Sequence, residues 1–257
     1  MTQIQLEAIC CRLKRPVLIK ECKSLIKSKK FKLSSTSKID EIKKWLLNGW
    51  NTEHLLHVNL DYLDGDALRN SLQWGFAQAY YSVFAITLSY FEAFGKGQKS
   101  HKAVMKEFST MIDAGRYPIS IGFLAKGGKT IDYKNIDKKA RYSSVDFNSL
   151  DSESIDSQIA SFLKATSERE LQKQLKDMKL KTDDNKPRQK FNKKHYDNAS
   201  KKIGYTSILN LLYRNRIKAN YSDIDTYFSD QLDVRKMCLW LKQIVGSCNI
   251  VHEFMLN

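Results

Sequence analysis

The stretch that decides the fold is ALRNSLQWGFAQAYYSVFAITLSYFEAF, residues 67–94. It has no charged residue between Arg69 and Glu92, and its apolar side chains recur at helical spacing around most of the circumference. This pattern predicts a central helix that is packed on several sides, with the other segments arranged around it. A run of this length also fits a membrane span. Its glutamines, serines, tyrosines and turn-forming borders favour a buried helix instead, so no membrane partner is predicted.

The composition indicates a helical globular protein. Of the 257 residues, 42% are apolar, which is enough for a sizeable core, whereas only 3 are proline and 11 are glycine. No turn dipeptide separates alternating apolar runs, and this argues against an all-β fold. We therefore predict an all-α protein built as an antiparallel helical bundle.

The cysteines and histidines bear on the compartment and on metal binding. The five cysteines are Cys10, Cys11, Cys22, Cys238 and Cys248, an odd number that lies within apolar periodic stretches and forms no short-spaced metal motif. We expect buried free thiols and, because the first 22 residues are unlike a secretory signal, a cytoplasmic location. His54 and His57 share a helical face but have no obvious third ligand, so neither a metal nor another cofactor is predicted.

Composition divides the chain into four segments. Residues 1–36 form a basic N-terminal extension in which two short amphipathic helices meet near Pro16. Residues 37–125 and 203–257 form the two parts of the bundle. Residues 126–202 form a polar, basic and partly helical insertion between them.

Local signals predict where several helices begin and end. One helix is expected to start after Ser37 and to end near Gly49, and another to start at the N-cap Ser100. An amphipathic helix is expected at residues 154–180. The last helix is expected to begin at the cap Ser229.

The formal charge of +15 is concentrated in two segments. Residues 1–44 hold 12 Lys and Arg against 4 Asp and Glu, and residues 186–202 hold 7 against 1, which gives +8 and +6. Such patches suit a polyanion, because each neutralised phosphate releases counterions, but a solvated surface has the same composition. Phe191 and Tyr196 lie among the second set of bases, which fits either stacking on unpaired nucleotides or a disordered basic loop. The candidate RNA-binding side chains are Lys186, Arg188, Lys190, Lys193, Lys194, Lys201 and Lys202.

Three motifs occur in sequence order: AYYSVF at residues 79–84, KSHKAVMKEF at 99–108 and RIKANY at 216–221. Together they resemble the HEPN superfamily of small helical-bundle proteins, especially the branch found beside minimal nucleotidyltransferases. They are similar to the family's Tyr-Tyr helix, its Lys-x-His segment and its Arg-x-x-Ala-Asp-Tyr segment. The resemblance covers residues 37–125 and 203–254, and it implies a HEPN-like bundle.

In many HEPN proteins an arginine and a histidine, four to six residues apart, form a metal-independent ribonuclease site between two protomers. The guanidinium binds the phosphodiester and the imidazole transfers protons near neutral pH. This chain departs from that pattern, because Asn220 and Tyr221 stand where a histidine is expected, and neither is a good base at pH 7. The candidate catalytic residues are Arg214, Arg216, Asn220, Tyr221 and His101. His101, from the Lys-x-His segment, is either a catalytic helper or an ordinary residue at a helix start.

The resemblance and the charge together suggest two functions. The first is an RNA-directed effector of the toxin or anti-phage type, with tRNA among its candidate partners, that acts as a homodimer and cleaves RNA. The alternative is a non-catalytic HEPN module that acts with a nucleotidyltransferase, which modifies Tyr221, or with another defence-system protein, or that senses a nucleotide. A third interpretation is a basic helical scaffold whose likeness to the family is accidental. Whether the protein is an enzyme stays open at this point.

Overall fold

The structure is a computed structural model that describes residues 3–28, 34–98, 100–127, 130–136, 152–180, 186, 188, 190–222 and 232–256. Its helices are α1 (Gln3–Arg12), α2 (Arg15–Ser28), α3 (Ile39–Tyr62), α4 (Gly65–Ala93), α5 (His101–Asp113), α6 (Ser152–Asp177), α7 (Lys193–Ile203), α8 (Ile208–Ile217) and α9 (Val234–Leu256). A π-helical turn, Lys218–Ser222, continues α8, and the strands are β1 (Leu124–Lys126), β2 (Asp132–Lys134) and β3 (Tyr205–Thr206). The predicted all-α class is confirmed, because helices dominate the described chain.

Helix α4 is the centre of the fold, as its sequence predicts. It packs against α3, α5, α8 and α9, and its side chains are buried on nearly every face. Phe76, Tyr80, Tyr90 and Phe91 are among its fully buried side chains. None of the helices in the described part of the chain is both long enough and apolar enough to cross a membrane.

Helix α3 corrects one predicted boundary. The helix does not end near Gly49 but continues to Tyr62. Gly49 is buried where α3 crosses α4, and its carbonyl oxygen accepts a hydrogen bond from the Ser82 hydroxyl at 2.9 Å. A Cβ at position 49 would overlap Cγ1 of Ile86 and would lie 3.2 Å from the Ser82 carbonyl oxygen. This glycine therefore allows close helix packing instead of ending a helix.

We expect Gly49→Ala to destabilise the protein by about 1–3 kcal/mol, because an added methyl group overpacks the contact between α3 and α4. Gly75→Ala is the matched control, since a Cβ there would lie 3.6 Å from Cδ1 of Leu56, an ordinary van der Waals distance. Within a helix this second change should be neutral or stabilising by up to about 1 kcal/mol. Denaturant unfolding measures both variants, and equal effects would contradict the close-packing explanation.

Most other predicted boundaries agree with the structure. Helices α1 and α2 flank the break near Pro16, which lies in the first turn of α2. Ser100 caps α5, where its hydroxyl oxygen accepts a hydrogen bond from the Ala103 amide at 3.2 Å. Helix α6 occupies most of the range expected at 154–180. Ser229 lies outside the described residues, and the described part of the last helix starts at Val234.

The segment between the two parts of the predicted bundle is packed into the fold. Helix α6 contacts α1, α8 and β1, and its Phe162 and Leu163 are buried in the main core. A second, smaller apolar cluster joins the end of α6 to α7 through Leu171, Leu175 and Ala199. The two clusters hold α6 in place along most of its length.

A three-stranded antiparallel sheet, in the order β2-β1-β3, is not predicted by the sequence. Ala125 of β1 pairs with Tyr133 of β2 and with Thr206 of β3. Strands of two or three residues are too short to show alternating apolar and polar positions, so their pairing depends on tertiary contacts. The sheet joins the two ends of the segment that contains α6 and α7.

All five cysteines are free and four of them are buried, which confirms the prediction of free thiols. Burial raises the pKa of Cys22 and of Cys238 to about 11. Both groups therefore stay protonated near neutral pH, and they contribute to packing.

A buried histidine lies beside α4. His252 of α9 donates a hydrogen bond from Nδ1 to the Cys248 carbonyl oxygen at 2.8 Å, and its Nε2 accepts one from the Tyr117 hydroxyl at 3.0 Å. Its side chain is fully buried, and this burial lowers the pKa of His252 to about 4. The imidazole is therefore neutral in the folded protein near pH 7.

Acidification should destabilise the fold through His252. Between its ordinary pKa of about 6.5 and its folded-state pKa of about 4, the unfolded chain binds a proton that the folded chain does not. The contribution of His252 to the free energy of unfolding is therefore fully present above about pH 6.5. It is lost as the pH falls, and the loss reaches about 3 kcal/mol once the pH is below the folded-state pKa of about 4. Urea titrations from pH 7 to pH 5 measure the slope. We expect His252→Gln to flatten it, and an unchanged slope would assign the effect to other groups.

Candidate nucleic-acid interface

A cleft of about 900 Å3 lies between α5, α6, α8 and the connection from α7 to β3. Eight of its lining side chains are cationic and two are anionic, a balance of +6 with histidine neutral. The cationic ones are Lys102, Lys106, Arg169, Lys173, Lys176, Lys202, Arg214 and Lys218, and the anionic ones are Glu170 and Asp177. A concave surface with such an excess of one sign raises the local concentration of polyanions.

Helices α5 and α6 supply most of these charges at helical spacing. Lys102 and Lys106 are four residues apart on α5, and Arg169, Lys173 and Lys176 follow at intervals of four and three residues on α6. Residues at these intervals share one face of a helix. None of these five residues is among the candidates predicted from the sequence. Their helical spacing could be read from the sequence. It indicates a binding surface only when the structure shows that the basic faces of α5 and α6 line the same cleft.

Arg214 lies in the cleft, as the hypothesis of a phosphate-binding arginine requires. It is in the last turn of α8, where its Nη1 donates a hydrogen bond to Oγ1 of Thr166 at 2.7 Å. Its guanidinium carbon lies 5.6 Å from the ring centroid of Phe162. Both contacts come from α6, so the guanidinium is positioned before any ligand arrives. A pre-positioned arginine loses less conformational entropy when it binds a phosphate.

Arg216 faces a different direction from Arg214. Its guanidinium carbon lies 4.7 Å from the ring centroid of Tyr81, 5.7 Å from that of Tyr80 and 5.8 Å from that of Tyr213. Tyr213 also lines the cleft, so Arg216 lies just outside the cleft wall. The two arginines of the predicted motif therefore occupy neighbouring but separate surroundings.

His101 is the first residue of α5, and it lines the cleft. Its Nδ1 lies 2.7 Å from the hydroxyl of Tyr80, and its ring centroid lies 4.5 Å from that of Phe84. Burial, together with nearby Tyr213, raises the pKa of Tyr80, so the phenol stays protonated and can donate to Nδ1. In the tautomer that accepts this hydrogen bond, the neutral imidazole carries its proton on Nε2.

Burial is the main cause that lowers the pKa of His101 below its ordinary value, and the charge of Arg216 adds to it. His101 is therefore mostly neutral near pH 7. In this form the Nε2 hydrogen can donate to a phosphate oxygen. Protonation at lower pH makes the imidazole a proton donor, which is the form that general acid catalysis needs.

Asn220 and Tyr221 do not line the cleft. The side-chain amide of Asn220 donates to the Gln73 carbonyl oxygen at 3.3 Å and to the Arg216 carbonyl oxygen at 3.0 Å. It therefore ties the π-helical turn to α4. Tyr221 is 70% exposed on the outer surface. This placement does not support the predicted role of these two residues as catalytic helpers beside Arg214.

The predicted RNA-binding bases divide between the cleft and the outer surface. Lys202 lines the cleft, whereas Lys193, Lys194 and Lys201 are exposed elsewhere on α7. Before α7, Lys186 and Lys190 are exposed and Arg188 is half-buried.

Phe191 and Tyr196 pack against other side chains of the protein. Both are half-buried against the small apolar cluster formed by Leu171, Leu175 and Ala199. Their ring centroids lie 6.4 Å apart in an edge-to-face arrangement. These two aromatic side chains stabilise the contact between α6 and α7.

The fold and the cleft define an all-α protein with a concave cationic surface. Within the described residues, no group of three or more His, Cys, Asp or Glu side chains is arranged to hold a metal ion. Comparison of the chain with family models, with curated proteins and with solved structures found no match. The likeness to HEPN proteins therefore rests on the three sequence motifs.

Proposed function

We propose that this protein is a cytoplasmic, RNA-directed effector of the HEPN type that binds RNA in the cleft between α5, α6 and α8. The observation that supports this most is the +6 balance of the lining charges, with Arg214 held among them by Thr166. Cationic side chains contact phosphates without regard to base sequence, which gives affinity for RNA as a class. A role of the toxin or anti-phage type, with tRNA among the targets, follows from the motif likeness alone.

Endoribonuclease activity is a second candidate, favoured by His101 and Arg214 lining the same cleft. Arg214 would bind the scissile phosphate and offset its developing charge, and His101 would transfer a proton at Nε2. Cleavage also needs a second proton-transfer group for the 2′-hydroxyl or the leaving oxygen. In the family this is supplied across two protomers, so this candidate includes a homodimer.

A non-catalytic module is the competing proposal. The exposure of Tyr221 favours it, because a partner nucleotidyltransferase could reach this phenol without opening the fold. Mass spectrometry after co-expression with such a partner, or with another protein of a defence system, would detect an adduct on Tyr221. Tyr221→Phe, which removes only the hydroxyl, is the matched control.

A cleavage assay run beside a binding titration tests the proposals together. The full chain is incubated with total RNA and tRNA in the presence of a chelator, and binding is measured at about 0.1 M and about 0.2 M salt. Discrete fragments that are absent with Arg214→Ala would support a metal-independent nuclease. Intact RNA together with strongly salt-dependent binding would support the non-catalytic module. Absence of binding at the lower salt concentration would contradict RNA as the partner.

A further inference from the structure

An exposed aromatic surface lies next to the cleft. It consists of Trp74 and Tyr81 on α4 and Tyr221 on the π-helical turn, which are 62%, 40% and 70% exposed. We call these three side chains the aromatic face. Trp74 and Tyr81 are seven residues apart, so they lie on the same side of α4, about 10 Å apart along its axis. Exposed large aromatic side chains grouped in this way commonly mark a binding site.

The π-helical turn brings Tyr221 to the same region. Asn220 donates to the carbonyl oxygen of Gln73, so the residues that follow each of them, Tyr221 and Trp74, lie on neighbouring parts of the two elements. The turn packs along α4, which fixes this relation. Trp74, Tyr81 and Tyr221 are therefore exposed on two elements that pack against each other, although they are distant in sequence.

Arg216 adds a positive charge to the aromatic face. Its guanidinium lies over the Tyr81 ring at 4.7 Å, and among the described residues it forms no ion pair with a carboxylate. The Tyr80 and Tyr213 rings also lie within 6 Å, so Arg216 is half-buried, and it can offer the hydrogen-bond donors at the edge of its guanidinium. Together the two groups can contact both a base and its phosphate.

The aromatic face is connected to the cleft through adjoining rings. Tyr213 and His101 line the cleft, and their ring centroids lie 5.9 Å apart. The His101 ring is in turn 6.2 Å from Tyr81, centroid to centroid. A chain that leaves the cleft at His101 therefore reaches the aromatic face directly.

We infer that the aromatic face binds unpaired bases of the same RNA whose phosphates lie in the cleft, so that the ligand is single-stranded. The inference rests on the proposed function and specifies its substrate class. Bases in a duplex are stacked on one another and offer only their edges, whereas unpaired bases can stack on Trp and Tyr rings. A second copy of the chain is a less suitable occupant of the aromatic face, because a symmetric contact there would bring two Arg216 guanidinium groups together.

The test compares a single strand with a duplex. The probes are fluorescein-labelled 2′-O-methyl RNAs of about 16 nucleotides, which lack the hydroxyl needed for cleavage, in single-stranded and blunt duplex form. We expect Trp74→Ala and Tyr221→Ala each to weaken single-strand binding by about 10-fold and to leave duplex binding unchanged. Trp50→Ala is the matched control, since Trp50 is also exposed but donates its hydrogen bond to Glu253 of α9.

Tryptophan fluorescence gives an independent readout. Stacking on Trp74 should quench a component of the emission that is absent from Trp74→Phe, a substitution that retains an aromatic ring. Equal losses on both probes, or no loss on either, would overturn the inference. A mass by light scattering that falls from dimer to monomer in the Trp74 and Tyr221 variants would instead assign the aromatic face to an interface between copies.

Failure of this inference can be distinguished from failure of the proposed function. If single strand and duplex bind equally and only substitutions in the cleft weaken them, the cleft still binds RNA and the aromatic face does not. If neither probe binds at low salt, the proposed function fails as well.

Discussion

Changing Lys102, Arg169 and Lys173 to glutamine is expected to weaken RNA binding on the order of 100-fold near 0.1 M salt. The three side chains line the cleft from α5 and α6, and each would neutralise a phosphate and release its counterions. Because the variant neutralises three fewer phosphates, the slope of log affinity against log salt should fall by about 2 for a single strand. Anisotropy titrations at several salt concentrations measure the affinity and the slope.

The control variant has the same net charge as the cleft variant, but the three charges are removed outside the cleft. Lys38, Lys43 and Lys236 are exposed and lie outside the cleft, so their change to glutamine removes the same three charges elsewhere. We expect this variant to retain affinity within about 3-fold, because these side chains do not line the cleft and would not neutralise phosphates bound in it. An equal loss in both variants would show that binding depends on the overall charge and not on the cleft.

Replacing His101 by asparagine is expected to lower the rate of RNA cleavage by about 100-fold to 10,000-fold, the usual contribution of a proton-transfer group. Binding should change little. Asparagine places an oxygen near the position of Nδ1, so the Tyr80 hydroxyl keeps an acceptor. His101→Ala would leave that buried hydroxyl without a partner, at a cost of about 1–3 kcal/mol in stability. The asparagine variant therefore separates loss of catalysis from loss of folding.

The pH dependence of cleavage gives a second measurement for His101. Because burial and then Arg216 lower its pKa in the ligand-free protein, kcat/KM should change with a midpoint below pH 6.5. If the protonated form acts as the acid, the rate rises as the pH falls through that midpoint. The transition should be absent from His101→Asn. A profile that is the same in both proteins would exclude His101 from proton transfer.

Local signals predicted much of the helical architecture. The apolar stretch at 67–94 corresponds closely to α4, and the hydroxyl of Ser100 caps α5 as expected. Both depend on interactions within a few residues of the chain. Gly49 was misinterpreted because a glycine in sequence does not show whether the helix ends or a neighbouring helix passes close by, and here Ile86 supplies the neighbour. The pairing of β1 with β3 likewise depends on residues about 80 positions apart.

The candidate site was predicted in part. Arg214, His101 and Lys202 line the cleft, while Asn220 is bonded to backbone carbonyl oxygens and Tyr221 faces outward. The basic residues of α5 and α6 were missed, because the basic faces of these two helices line a common cleft only in the folded protein. Charge density along the sequence favoured residues 186–202 instead, and much of that segment lies outside the cleft wall.

The π-helical turn changes the direction in which the side chains after α8 point for a given residue spacing. In an uninterrupted α-helix, residues seven apart point the same way, so Tyr221 would lie below Arg214 and share its orientation. The wider hydrogen-bonding pattern at Lys218–Ser222 takes one more residue per turn and changes the rotational phase of whatever follows. Tyr221 therefore points to the solvent, and a one-residue deletion that converts this turn to a regular α-helical turn would leave its orientation nearly unchanged.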